Sequence, residues 1–502
     1  MKLSSLLLLT ALLAPPLAAQ DPALLSPTWL PGEPGVGTDL VTVRSRLVEI
    51  DTDLLRHTLG RTGGSGVIEV ALFDDLVLTA VFDRAESAYG GGLIWRGHVV
   101  GDPESELLFS LVDEAVCASI HWAGRLYRLA PAGNGVHRVS LVDEQAFMPC
   151  ATDDRFAVQS PPAAAGGAGA RAGNPDIDVM VPYTTEAKNV SGGVSGITAK
   201  INLAITETND AYQFSQVSQR LVLVHIEEMV GYTEPSSFSQ ILTDLRGKHD
   251  GKMDNVHSLR DQYAADCVSL ICKNNAYCGI AYLMTNVSPS FESSAFSVVN
   301  YSCATGYYSF GHELGHNMGS AHDRQNAGGA AYSYSYGYRT SNNRYRTIMA
   351  YSPGTRIKRF SSPLVTYAGY TMGTATEDNA RSLNNTAATV ADWRIGGPSA
   401  PVLTVPTLFA GAYAVIDVDN CTAGGTVYLA YSLTGGGPTN TNWGTASLSD
   451  PIHSLPPLTA DGAGHAAYAT TVPANAAGVT VWLQALDLTG GLFSNGVQTT
   501  IL

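Results

Sequence analysis

The stretch Phe310-Gly-His-Glu-Leu-Gly-His-Asn-Met-Gly-Ser-Ala-His-Asp323 decides how this chain is read. His312 and His316 stand four apart, so on a helix both imidazoles leave the same face. At about 100° per residue, Phe310, Leu314 and Met318 form an apolar stripe about 180° from that pair. One face is therefore expected to pack into a core while the other holds a metal ion. Gly319 permits a turn that an ordinary residue resists, and His322 can then return to the same metal from outside the helix. Three neutral imidazoles leave a tetrahedral Zn2+ with one open position, the arrangement of a catalytic site and not of a structural one. Zinc lowers the pKa of bound water to ~7 and polarises a carbonyl oxygen. Glu313 sits beside the first ligand and is expected to take the water's proton as general base. The competing reading is of unrelated histidines on an amphipathic helix, since a bare H-E-x-x-H arises by chance. Gly319 and His322, added at fixed spacing, weigh against it.

The run resembles the H-E-x-x-H-x-x-G-x-x-H signature of metzincin zinc endopeptidases, and Asp323 is similar to the adamalysin/reprolysin branch. The resemblance implies a methionine turn beneath the metal. Thr347-Ile-Met-Ala-Tyr351 matches it, with Met349 as a packing floor and not a ligand. The wording around both motifs is most similar to bacterial reprolysin-like enzymes, including the peptidyl-Asp metallopeptidases, over roughly residues 175–396. Tyr351 stands where astacins and serralysins place a zinc-switching tyrosine, which adamalysins usually lack. Two readings stay open: a catalytic phenol that ligates zinc or stabilises the oxyanion, or a packed aromatic with its hydroxyl in solvent.

Between Asp323 and Glu377 no acidic residue occurs, while Arg324, Arg339, Arg344, Arg346, Arg356, Lys358 and Arg359 are all basic. In family terms this stretch includes the wall of the specificity pocket. Cleavage beside acidic residues is therefore expected, with Arg356 or Arg346 nearest the pocket. A solvated basic surface is the alternative. The tyrosines at 332, 334, 336 and 338 are expected in a strand or ordered loop, or as a binding rim.

The chain has 502 residues, of which 44 are acidic and 29 are Lys or Arg, for a net charge of −15. Nucleic acid is excluded as a partner on that balance, since phosphate binding needs clustered positive charge. Charge is unevenly placed. Residues 21–175 carry 20 acidic and 11 basic side chains, residues 176–396 carry 19 and 17, and residues 397–502 carry five and none. Lys2, the apolar run Leu6–Leu13 and Leu17-Ala18-Ala19 read as a secretory signal peptide over residues 1–19. No later segment is long and apolar enough to span a membrane, so the protein is expected to be secreted, or periplasmic or at the cell surface.

The expected architecture is multidomain. A mainly-β pro-domain (20–159), rich in alternating runs such as Val67–Phe73 and Glu106–Val112, leads into a flexible Gly/Ala/Pro linker (160–175). An α/β metzincin catalytic domain (176–396) follows. Its expected strands are Asp178–Tyr183, a buried Arg220–Ile226, Cys267–Cys272 and Gly279–Met284, with a long helix over Gly193–Tyr212. Residues 397–502 are expected to form a C-terminal all-β sandwich.

Seven cysteines leave at least one thiol without a partner in the chain. The resemblance implies a Cys278–Cys303 bridge. Cys267 and Cys272 have opposite strand parity, so a bridge between them would need a bend. Cys150, in Met148-Pro-Cys150 before the linker, is the candidate for a pro-domain thiol that blocks the zinc, as several metzincins use; a Cys117–Cys150 disulfide is the alternative.

The leading reading is a secreted zinc endopeptidase made as a zymogen, acting on proteins or peptides, with the pro-domain as intramolecular inhibitor. The rival is a surface adhesion or carbohydrate-binding protein whose protease domain is inactive or accessory. Its sugar contacts would fall to Trp443 and Trp482, and the intact Glu313 and three histidines weigh against it.

Overall fold

Val67–Phe73 alternates half-buried and buried residues, as its sequence predicts for a strand with one face on a core. It is the last member of a nine-stranded antiparallel sheet, shown in a computed structural model. The model describes residues 21–28, 41–158, 175–394 and 400–502, apart from 423, 442 and 463. The expected signal peptide and nearly all of the 160–175 linker lie outside the described residues, as do residues 395–399 at the expected boundary between the last two domains.

By contacts the chain divides into two units. One holds the residues up to Ala146 with Val190–Leu203; the other holds Phe147–Asn189 and Ala204–Leu502. In the first unit the sheet begins at Leu25–Pro27 and Thr42–Ile50, continues through Val136–Val142, and ends at Leu76–Ala88 and Val67–Phe73. An Ala23–Glu69 bridge brings the two ends of the order together. One face encloses Trp95, Phe109, Ile120, Tyr127 and Leu78, and the Trp95 indole donates to Thr58 Oγ1 at 2.8 Å. A second cluster sets Leu108, Val112 and Cys117 against Ala199 and Leu203 of the helix Gly193–Phe214.

In the second unit a five-stranded sheet runs in the order Arg220–Met229, Asp176–Thr184, Cys267–Cys272, Phe296–Asn300, Gly279–Ala281. The first four are mutually parallel and the last is antiparallel to its neighbour. Helices alternate with these strands, which is the α/β arrangement expected from the sequence. Ser237 caps the helix Phe238–Arg246 by accepting from the Gln240 N–H. Ile241, Leu242 and Leu245 of that helix pack with Val268, Leu270, Phe296 and Val298. Two expectations need correction. Arg220–Met229 is mostly half-buried, because it lies at a sheet edge and has a strand on one side only. Gly279–Met284 is not one strand: it breaks at Tyr282 into Gly279–Ala281 and Leu283–Met284.

Residues 400–502 form two principal sheets, Val402–Thr404/Tyr413–Asp419/Ala466–Thr471 and a larger one centred on Thr426–Ser432 and Thr480–Asp487. Ile416 and Val418 from the first share a core with Val427, Leu429, Leu483 and Ala485 from the second. No helix among the described residues is long and apolar enough to cross a membrane.

Candidate metal centre and active site

The helix Ser309–Asn317 carries the site, and every residue in it is buried. Its apolar stripe behaves as the periodicity predicts, with Phe310, Leu314 and Met318 fully buried. Asn317 fixes the far end by donating to the carbonyls of Tyr282 and Phe296, at 2.9 and 3.2 Å. The Cys278–Cys303 disulfide is present and ties the edge strand to the loop that leads into the helix. Gly319 has φ +89°, and a Cβ there would lie 2.6 Å from that of Ala331, so both conformation and space favour glycine. The chain turns there and brings His322 back.

The three imidazoles converge. His312 Nε2 lies 3.1 Å from His322 Nε2 and 3.2 Å from His316 Nε2, and His316 and His322 are 3.1 Å apart. His312 Nδ1 faces the Ile348 carbonyl at 2.8 Å, and His316 Nδ1 faces the Ser320 carbonyl at 2.9 Å. Those carbonyls take the Nδ1 protons and leave the Nε2 lone pairs directed at one point. Burial, which comes first, and the neighbouring charges of His316, Arg356 and His322 hold His312 well below the usual imidazole range. Burial likewise holds His316 down to about 3, and His322 is lowered by burial, His316 and Arg356. Three neutral lone pairs this close repel one another unless a cation lies among them. Tetrahedral Zn–N bonds of about 2.0–2.1 Å place ligand nitrogens roughly 3.3 Å apart, close to the spacing observed.

A fourth donor stands with them. Cys150 Sγ is 3.7 Å from His316 Nε2, and the sulfur and the three imidazole nitrogens all lie within 4.8 Å of one another. The same sulfur is 3.4 Å from Glu313 Oε2. Cys150 arrives on a segment laid beside the edge strand. The Ala151 N–H donates to the Gly279 carbonyl at 2.8 Å, and the Cys278 N–H donates to the Pro149 carbonyl at 3.0 Å. Further on, Ala157–Val158 pairs in parallel with Leu283–Met284. Cys150 and Cys117 are both free and buried, so the alternative of a disulfide between them is not realised. Cys267 and Cys272 are also free, as their opposite parity in a continuous strand anticipates.

Glu313 is fully buried, and that burial pushes its carboxyl up to about 8 against the lowering effects of Cys150, Thr152 and Arg356. Its Oε1 has no hydrogen-bond partner among the described residues. Met349 lies under the helix, where a Cβ at Gly315 would come within 2.9 Å of its sulfur. Tyr351 is not turned to solvent: its ring lies 4.2 Å from that of His322 and its hydroxyl donates to the Cys150 carbonyl at 2.9 Å.

Sequence reasoning missed two parts of the site and the contacts of a third. A Cβ at Gly279 would meet Glu313 Cγ and Cδ at 2.5 Å, so this glycine makes the space the carboxylate occupies. Thr152 Oγ1 lies between Glu313 Oε2, at 3.4 Å, and the backbone of Ala281. Asp323 accepts from the Tyr351 N–H and from Arg339 Nη2, both at 2.9 Å, and joins the end of the histidine motif to the methionine turn. Only Asp323 left a trace in the sequence, by following the third histidine.

The basic stretch is largely spoken for. Arg324 pairs with Glu377, Arg339 with Asp323, and Lys358 with Asp210. Arg359 lies over Phe214. Of the four tyrosines, Tyr332 and Tyr334 stack at 5.3 Å in a loop, and Tyr336 opens a two-residue strand.

A model of the reprolysin-like M12B metallopeptidases matches residues 175–378. The peptidyl-Asp metalloendopeptidase of Stenotrophomonas maltophilia R551-3 is 35% identical over 351 residues, which is 63% of this chain and 80% of that protein. The peptidyl-Asp metalloendopeptidase of Xanthomonas campestris pv. campestris is 32% identical over 376 residues, 70% of this chain and 86% of that one. The matched region contains the helix, the returning histidine and the methionine turn, so the family's signature and the buried donor cluster coincide. On this likeness the chain belongs to the reprolysin-like M12B metallopeptidases and is a metalloendopeptidase.

Proposed function

We propose that the protein is a secreted zinc endopeptidase made as a zymogen, cutting peptide bonds beside acidic residues. The observation that carries the reading is the convergence of three neutral Nε2 atoms at 3.1–3.2 Å, a donor set and spacing suited to Zn2+. His312, His316 and His322 would hold the metal, which polarises the scissile carbonyl and activates water when bound. Glu313 has the position of the general base. Its carboxyl is buried beside the three imidazoles, within reach of a water held by the metal. Tyr351 has a hydroxyl already donating to a peptide carbonyl within the cleft, which is the bond an oxyanion stabiliser would make to substrate.

The zymogen reading rests on Cys150. A tetrahedral zinc with a sulfur at about 2.3 Å and a nitrogen at about 2.05 Å separates the two donors by roughly 3.5 Å, and the observed separation is 3.7 Å. The thiol therefore fills the position where water would bind, and it also engages Glu313. Ligand and base are blocked by one side chain. The residues that carry Cys150 act as an intramolecular inhibitor that departs after cleavage between 160 and 175. Preference for acidic residues follows from the activity named for the relatives and from the arginines beside the site. The rival reading, an adhesion or sugar-binding protein with an inactive protease, loses weight because all three histidines and Glu313 are intact and correctly disposed. Trp443 does line a cavity of about 290 Å3 with Tyr428 and Phe493, so an accessory role for residues 397–502 is compatible with the protease reading.

The test compares the processed wild type with Glu313→Ala on an unfolded protein, with and without a chelator, and sequences the products. Cleavage beside Asp or Glu by the wild type, lost in the variant and with chelator, is expected. Equal cutting by both proteins would overturn the mechanism.

A further inference from the structure

The seven cations between Asp323 and Glu377 differ in one respect that their sequence does not show. Arg346 is buried, but each guanidinium nitrogen has an acceptor: Nε the Gly354 carbonyl at 2.8 Å, Nη1 the Ala350 carbonyl at 2.7 Å, Nη2 the Tyr307 hydroxyl at 3.0 Å. Its fork braces the loop around the methionine turn. Arg356 is also buried, at 6% exposure, yet no carboxylate among the described residues pairs with it. Its Nη1 donates to the Tyr307 carbonyl at 3.0 Å, and its Nε is buried with no partner. Buried charges in proteins are normally paired, because an unpaired one forfeits its hydration without recompense. An arginine left this way needs an anion from elsewhere.

Its place says which anion. Tyr307 directly precedes Tyr308, the N-cap of the site helix, whose carbonyl accepts from the His312 N–H at 3.1 Å. The guanidinium carbon sits 4.1 Å from the Tyr307 ring centroid, and Phe147 stacks on the same ring at 4.1 Å. Two planar groups at that distance must occupy opposite faces, so Tyr307 is the wall between Arg356 and the segment that delivers Cys150. The positive charge of Arg356 is also felt by His312, His322, Glu313 and Tyr351, so it acts within electrostatic reach of the donor cluster.

We propose that Arg356 is the specificity-determining residue, receiving the side-chain carboxylate of an aspartate or glutamate that flanks the scissile bond, while Arg346 holds the pocket in shape. This rests on the endopeptidase reading above and adds to it the residue that selects. The carboxylate would complete a charge-assisted pair with the unsatisfied Nε–H, and an isosteric amide would leave the cation unpaired.

The experiment uses full chain nicked within residues 160–175, with matched peptides carrying Asp or Asn at one position. Wild type is expected to prefer Asp over Asn by roughly 100-fold or more in kcat/KM. Arg356→Gln should lower that ratio to near one, mainly by losing the Asp peptide. Arg356→Lys keeps the charge but not the fork, and should lower it about tenfold. Affinity of the two peptides for Glu313→Ala, with and without Arg356→Gln, reads selection independently of turnover. An unchanged Asp:Asn ratio in folded Arg356→Gln overturns the inference while leaving the endopeptidase reading intact. Should that variant fail to fold, an unchanged ratio in Arg356→Lys overturns it instead. Failure of the wild type to cut either peptide, with Asp still bound selectively by Glu313→Ala, sinks the catalytic reading and keeps Arg356.

Discussion

Glu313 shows how much of this site depends on what is missing beside it. Its carboxylate fits because residue 279 has no Cβ, and the clash a methyl would cause involves Cγ and Cδ as well as the oxygens. The side chain is fully buried, so it cannot swing aside into solvent. Gly279 has no left-handed φ to defend, and alanine is acceptable to its backbone. Gly279→Ala should therefore displace Glu313, the proposed base, and spare the fold. A loss of about 100-fold or more in kcat is expected, with zinc content unchanged, because general-base assistance is worth about that much. Metal analysis beside turnover measurements checks it; full activity would show that Glu313 has another position open to it. The contrast between Arg346 and Arg356 is of the same kind. Both looked alike as letters in a basic run, and only the acceptors around each guanidinium distinguish a brace from an unpaired cation.

At the level of elements, local chemistry was legible and lateral pairing was not. The spacing of His312, His316, Gly319 and His322 gave the helix, its buried face and the turn, since all four are consequences of backbone geometry over a dozen residues. The strand Arg220–Met229 had a continuous apolar run yet lies at an edge, because position in a sheet is settled by distant segments. The same limit hid the strip Pro149–Val158 alongside Gly279–Met284, with Thr152 and Cys150 on it. An element-scale prediction comes from the first unit. His137, on the strand Val136–Val142, is buried and accepts the Val116 N–H at Nε2, at 3.0 Å, which only a neutral ring can do. Burial lowers its pKa from 6.5 to about 4. The unfolded chain therefore binds more protons between those values, and the stability from this group is complete above pH 6.5 and lost as pH falls through about 4. The full effect is roughly 3 kcal/mol. Denaturant midpoints of the first unit, followed by hydrogen exchange at Val116, should fall over that range. His137→Gln keeps an acceptor without a titration, and its profile should be flat there; a wild-type slope in that variant would assign the effect elsewhere.

For the whole molecule, the proposed zymogen reading requires the number of protein donors on the metal to change on processing. Before processing, four are in place, three imidazoles and the Cys150 sulfur. On the proposed zymogen reading, the three histidines would remain after processing and a water would complete the shell. Burial and the neighbouring Glu313 raise the Cys150 thiol's pKa, whereas a divalent cation at the donors favours the thiolate, so ligation must overcome both effects. If it does, the unprocessed chain holds zinc with one ligand more, and the metal is shielded from exchange. Zinc loss to a chelator should then be slower in the full chain than in the processed enzyme by roughly tenfold or more. Full-length Cys150→Ser should lose zinc at the rate of the processed enzyme and should cut peptides without prior processing. Metal release followed with a chromophoric chelator, on all three proteins at one pH, decides it. Equal rates in full-length wild type and full-length Cys150→Ser would mean that the sulfur sits beside the metal without binding it. Latency would then rest on the strip of backbone laid along the Gly279–Ala281 edge, which would block substrate whether or not the sulfur ligates.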